Sequence, residues 1–116
     1  MKELLGKVDD PGIIDCSCLL KGKDVIVSSF SKSKRNHETI AKQTFSYIFL
    51  NVAKQKTKHN EAHLEIGGQR LSGFLLKPGL VLVCLSDKNL NITKVRSHIQ
   101  HIKHLILQSE VDKMLA

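Results

Sequence analysis

Aromatic side chains are scarce in this chain: no Trp, one Tyr and four Phe, 4% of 116 residues. The core must therefore come from Leu, Ile and Val, and a surface that binds single strands by stacking bases has too few rings to stack them on. Long apolar runs are also missing. The longest, Gly79–Leu85 ("GLVLVCL"), falls far short of the roughly 20 residues a membrane-spanning helix needs. The N-terminus has no apolar stretch of the kind that opens a signal peptide, so a cytoplasmic protein without a transmembrane segment is expected. Cysteine is limited to three residues, an odd number that argues against a secreted disulfide scaffold. Cys16 and Cys18 sit two apart in a strand-like run, on one face, and do not readily bridge each other. Cys84 lies in the most apolar segment. No zinc spacing is present, and all three read as small buried hydrophobes.

Acidic residues are few, 11 against 18 Lys and Arg, for a net charge of +7. That charge is compatible with nucleic acid, an anionic membrane or an acidic protein surface as partner. The basic residues are spread out, with short runs at Lys32–Arg35 and Lys54–His59 that flank a predicted helix and read as solvated ends. There is no identifiable carboxylate pair for acid–base work, no GxxxxGK[ST] loop, no GxGxxG after a strand and no GxSxG elbow. No enzyme activity, cofactor or metal is expected.

What is present is a clear change of period along the chain. Lys2–Val8 reads as a short helix ending before the turn signal Asp9–Gly12. Ile13–Phe30 alternates with period two about a Lys21-Gly22-Lys23 turn, a hairpin. The following segment changes to helical spacing, with Asn36 as the expected N-cap and Glu38 in the first turn. Wound at about 100° per residue, it carries two stripes. Ala41, Phe45, Ile48, Phe49 and Val52 form the broad one, suited to lie on a sheet. Ile40, Gln43, Tyr47, Leu50 and Lys54 form a second seam, apolar at its centre and polar at its ends, as in a helix that meets another helix. A chain of this length has little left to cover that seam, so a dimer contact is expected there. Glu61–Asp87 returns to three strands, turned at Gly67-Gly68 and Pro78-Gly79; the last is apolar on both faces and so central. In the closing helix, Ile92, Val95, Ile99, Ile102 and Ile106 make one buried stripe. The fold class is α+β: a five-stranded antiparallel sheet in (α)ββ-α-βββ-α order with helices packed on it, one domain over residues 1–116.

The closing helix also carries a histidine at every third position: His98, His101 and His104. Taking Ile92 as zero, they fall near about 240°, 180° and 120°, while the apolar stripe centres near about 310°. They march around the helix away from the core, and zinc pairs on helices favour a spacing of four with a further ligand close by. They read as solvated or partner-facing residues, with His98 half-buried at the edge of the stripe.

Three phrases, in this order, carry a resemblance. "LLGKVDDPGIIDCSCLLKGKDVIVSS" gives a helix, a Pro-Gly-hydrophobic turn and two strands. "HETIAKQTFSYIFLNVAKQ" follows as a helix, and "GLVLVCLSDKNLNITKVRSHI" ends the chain with a strand, an Asn-Leu loop and a helix with an early Arg, Arg96. Together they resemble the roadblock family, which includes roadblock-type dynein light chains and MglB-like regulators. The resemblance implies a homodimer in which the central helices pack together and the third strands pair into one sheet. His63, Leu64 and Glu65 would then join Ile40, Gln43, Tyr47, Leu50 and Lys54 at the dimer interface. It further implies a non-catalytic module that binds a Ras-like small GTPase and modulates its cycle, or scaffolds a motor or signalling complex. The segment before Pro11 is short for that family, so a first-helix contribution to partner binding is in question, and no residue stands out as an arginine finger. Longin and profilin-type interaction modules share the layout, and a small basic nucleic-acid-binding protein is the alternative that the net charge leaves open; nucleic acid is not the expected partner.

Overall fold

The computed structural model describes residues 2–55 and 60–115, with side-chain surroundings for 5–52 and 60–108. Helix α1 (Lys2–Val8) leads into the hairpin β1 (Cys16–Lys21) and β2 (Asp24–Ser28). A single 3-10 turn (Lys32–Lys34) runs into α2 (Arg35–Gln55). Strands β3 (Glu61–Ile66), β4 (Gln69–Lys77) and β5 (Leu80–Asp87) follow, and α3 (Ile92–Leu115) closes the chain. All pairings are antiparallel, in the order β2-β1-β5-β4-β3. The architecture is the one expected, with β5 central and β2 and β3 at the edges.

The apolar character of β5 on both faces follows from its coverage. Leu80, Leu82 and Cys84 point to a layer formed by Leu5 and Val8 of α1 and by Val95, Ile99, Ile102 and Ile106 of α3. Val81, Val83 and Leu85 point the other way, to Ala41, Phe45 and Phe49 of α2. Strand β1 divides likewise, with Cys16, Cys18 and Leu20 under α2 and Leu19 under the helix pair. The sheet is thus enclosed by α2 on one side and by α1 with α3 on the other. Such a strand loses the polar alternation of a half-wet sheet.

Gly73 determines how closely α2 lies on the sheet. A Cβ at this position would run into the ring of Phe45, which is itself fully buried. The absent side chain lets the phenyl ring rest directly on the β4 backbone. Gly67, with φ 60°, supplies the left-handed conformation that the two-residue β3–β4 turn requires.

Two local boundaries differ from the expectation. Strand β1 begins at Cys16 rather than Ile13, because the amides of Ile13 and Ile14 both donate to the Asp10 carbonyl at 2.8 Å. Those bonds curl the Pro11-Gly12 segment into a turn that delivers Ile14 to the core. Helix α2 begins at Arg35, so Asn36 lies within its first turn instead of capping it. The 3-10 turn ahead provides the entry, with the Lys34 amide donating to the Ser31 carbonyl at 2.9 Å. Helix α3 continues through the C-terminal tail to Leu115.

Candidate interaction surface

The inner stripe of α2 behaves as its periodicity requires: Ala41, Phe45 and Phe49 are buried, and Ile48 and Val52 are partly so. The second stripe faces outward. Tyr47 is 69% exposed and Leu50 45%, Gln43 is exposed, and Ile40 is partly covered by the sheet-side layer. Tyr47 and Leu50 are two of the large hydrophobic residues left in water, one helical turn apart on one helix. The backbone of Lys54 belongs to α2, but its side chain lies outside the described residues, as do Lys56, Lys58 and His59 altogether.

Strand β3 contributes a second unpartnered feature, its free edge. The Leu75 amide donates to the Asn60 carbonyl at 2.8 Å. Bonded and non-bonded pairs alternate along an antiparallel ladder, so the register makes Ala62↔Gly73, Leu64↔Leu71 and Ile66↔Gln69 the bonded pairs. The backbone N–H and C=O groups of Glu61, His63 and Glu65 therefore point away from the sheet. The side chains divide too, with Ala62, Leu64 and Ile66 packing toward α2.

On the opposite face, β3 is tied to α3 by a charged cluster. The Arg96 guanidinium holds the Glu61 carboxylate in a two-pronged contact, Nε to Oε1 at 2.9 Å and Nη2 to Oε2 at 2.6 Å. His63 Nε2 meets the same Oε2 at 2.6 Å, and His63 Nδ1 lies 2.8 Å from the Ser72 hydroxyl. An ionised carboxylate has no proton to give, so Nε2–H is the donor; in the neutral ring Nδ1 then accepts from Ser72. The His63 ring also stands edge-on to Phe74, centroids 6.1 Å apart. The hydrogen bonds from Arg96, with a smaller contribution from His63, hold the Glu61 carboxyl below the ordinary carboxylate range against the opposing effect of partial burial. Arg96 is raised in turn, chiefly by its hydrogen bonds to Glu61. Ser72 is completely buried, so the Ser-His-Glu chain is a brace and not an accessible nucleophile. Residues 61 and 96 are remote in sequence, and only the topology brings them together; Arg96 stood out through the resemblance alone.

The histidines of α3 do not converge. His98 Nε2 meets the Val8 carbonyl at 2.7 Å and fastens α3 to the end of α1, while His101 and His104 are exposed. No cluster of three or more His, Cys, Asp or Glu suited to a metal ion occurs among the described residues. The three cysteines are unbridged and buried. Burial, reinforced by acidic neighbours, pushes Cys16 up to about 12; burial, reinforced by Glu38, does the same for Cys18, and Cys84 is raised as well. Such thiols stay protonated and are poor nucleophiles. No helix among the described residues is long and apolar enough to cross a membrane.

No protein-family model and no curated protein matches this sequence. Solved structures do match in shape. The Roadblock/LC7 domain from Streptomyces avermitilis superposes with a TM-score of 0.75 at 12% identity, covering 96% of this chain and 98% of that one. Myxococcus xanthus MglB gives a TM-score of 0.72 at 16% identity, covering 93% and 94%. The chain has the roadblock fold. The gliding protein MglB from Thermus thermophilus is a further roadblock-fold neighbour, with a TM-score of 0.62 at 12% identity over 87% of this chain and 81% of that one. Identities this low carry the fold. Within this chain the outward stripe of α2 and the free edge of β3 both lie on the surface.

Proposed function

We propose that residues 1–116 act as one roadblock-type domain, a non-catalytic homodimeric adaptor that engages a Ras-like small GTPase or a related protein complex. The observation that carries this reading is the exposed Tyr47–Leu50 face of α2, on the same chain as a β3 edge with three sets of unpaired backbone groups. Apolar residues on an uncovered helix face and an unprotected strand edge are both liabilities for a monomer. Packing α2 against α2, and β3 against β3, would remove both at once. Ile40, Gln43, Tyr47, Leu50 and Lys54 would line the helix contact, and His63, Leu64 and Glu65 the strand contact. Engagement of a GTPase is what the family resemblance adds. Any effect on nucleotide turnover would come from ordering the partner's switch loops, since among the described residues no side chain is presented as a catalytic group.

The test uses the purified full chain and a panel of Ras-like GTPases loaded with GDP or a non-hydrolysable GTP analogue, mixed and separated by size with light-scattering detection. Co-elution with one nucleotide state, on a species containing two copies of this chain, is the expected result. Failure of every GTPase to bind a confirmed dimer would leave the scaffold arm of the proposal and remove the GTPase arm. A monomer would overturn the dimeric adaptor itself.

A further inference from the structure

The free edge of β3 restricts how two copies can meet there. The backbone groups that point outward belong to Glu61, His63 and Glu65. A two-fold axis that keeps both copies of α2 on one side of a joined sheet makes the two β3 strands antiparallel. The register centred on His63 pairs Glu61 with the partner's Glu65, His63 with the partner's His63, and Glu65 with the partner's Glu61. A shift of two residues either way leaves one outward set without a counterpart in β3. The centred register therefore satisfies the most backbone groups.

That register sets the partner's Glu65 opposite Glu61, on the face that carries α3. Two carboxylates directly opposite on a ladder repel, but the surroundings reverse the sign. Glu61 is already engaged by Nε and Nη2 of Arg96, whose Nη1 makes no bond among the described residues. Arg96 also lines a recess of about 80 Å³ between the start of β3, the end of β4 and α3, together with Asn60, Gln100 and Lys103. This is well below the about 300–1,000 Å³ of a small-molecule cleft and suits the head of a single side chain. The charged residues of the recess are Glu61 against Arg96 and Lys103, so positive charge is in excess. Lys103 is half-buried and Glu65 exposed, and neither makes an ion pair among the described residues. The recess lacks one carboxylate, and Glu65 is the carboxylate that the register delivers.

We propose that in the dimer each Glu65 enters the recess of the other copy, where it meets Arg96 and Lys103. Each recess is incomplete without the partner's Glu65. The assignment rests on the β3 contact of the dimeric reading and adds to it a register and a means of choosing the partner chain. The α2 seam supplies apolar burial, while the recess rejects a strand that brings a positive charge to this place.

The test exchanges the charges. Glu65→Lys and Lys103→Glu are prepared as separate variants of the full chain, checked for fold by circular dichroism, and the dimer Kd is read by light scattering on a dilution series. Each variant alone is expected to weaken the dimer about tenfold to a hundredfold, because two contacts per dimer turn from attraction to repulsion. Mixed in equal amounts, the two variants should form a heterodimer with a Kd within about threefold of the wild type. In that pair one recess keeps Lys103 and receives Glu65, and the other has both charges exchanged. A chain carrying both substitutions should recover in the same way. Damage confined to one chain is not repaired by mixing. Unchanged Kd values in the single variants, or no recovery on mixing, would overturn the contact and leave a dimer held by α2 or by another register. A wild-type chain that stays monomeric would overturn the dimeric reading, and the contact with it.

Discussion

At the scale of single residues, two side-chain positions control more of the structure than their chemistry advertises. Gly73 is one. In an ordinary strand, Gly→Ala gains about 0.5–1 kcal/mol by restricting the unfolded chain. Here the added methyl group meets the fully buried Phe45 ring, and the overpacking should outweigh that gain. Gly73→Ala is expected to lose about 1–3 kcal/mol in urea unfolding, and Phe45→Leu in the same chain should recover part of the loss, a coupling a double-mutant cycle reads directly. Glu61 is the other. Its carboxyl is held below the ordinary glutamate value of 4.5 by Arg96, so the stabilisation it supplies is complete above that value and disappears as pH falls through the lower folded value. The wild-type urea midpoint should fall more steeply between about pH 5 and pH 3 than that of Glu61→Gln, which should start lower at pH 7. Neither position is legible in sequence as a determinant. Gly73 reads as one member of an alternating strand, because its neighbour across the layer, Phe45, is known only once the helix is seated. Glu61 reads as one of several scattered acids until the fold brings Arg96 to it.

At the scale of elements, legibility depends on how local the cause is. The stripes of α2 and α3 are set by residues three and four apart, and each lies where its periodicity places it, down to His98 at the edge of the α3 stripe. The turns at Gly22, Gly67 and Gly79 are equally local. The start of β1 is not, because it is fixed by hydrogen bonds back to Asp10, and a run of alternating residues from Ile13 onward carries no trace of them. Likewise Asn36 has the chemistry of a cap, but the preceding 3-10 turn already begins the winding. The polarity of the β3 edge follows from register and leads to a discriminating substitution. The N–H of Glu65 points away from β4, so Glu65→Pro removes no bond of the internal ladder and should cost the midpoint only what dimerisation contributes, while blocking any strand added at that edge. The N–H of Leu64 is within the ladder, and Leu64→Pro should lower the midpoint sharply. A dimer that pairs through β3 should therefore fall to single-chain mass in Glu65→Pro with its fold retained, as judged by circular dichroism and light scattering. Retention of the dimer in that variant would place the contact elsewhere.

At the scale of the whole molecule, the charge of +7 and the apolar seam predict opposite responses to salt. An assembly held by phosphate contacts or long-range attraction to an acidic partner weakens steeply as salt rises, because counterions compete for the same charges. An assembly held by Tyr47 and Leu50 does not, since removal of apolar surface from water is not screened. The solution mass should therefore stay at twice 13.0 kDa from low to high salt. Tyr47→Asp with Leu50→Asp is the matching perturbation. Both side chains are exposed in the single chain, so the core loses nothing and the fold should persist. Within a dimer the same change places four carboxylates in an apolar contact, where each carries a desolvation penalty with no nearby partner. The expected result is a folded monomer at every salt concentration, with an unfolding midpoint that no longer depends on protein concentration. A dimer that survives the substitution would rule out the α2 seam as its contact, and a dimer that forms only at low salt would point instead to the basic surface.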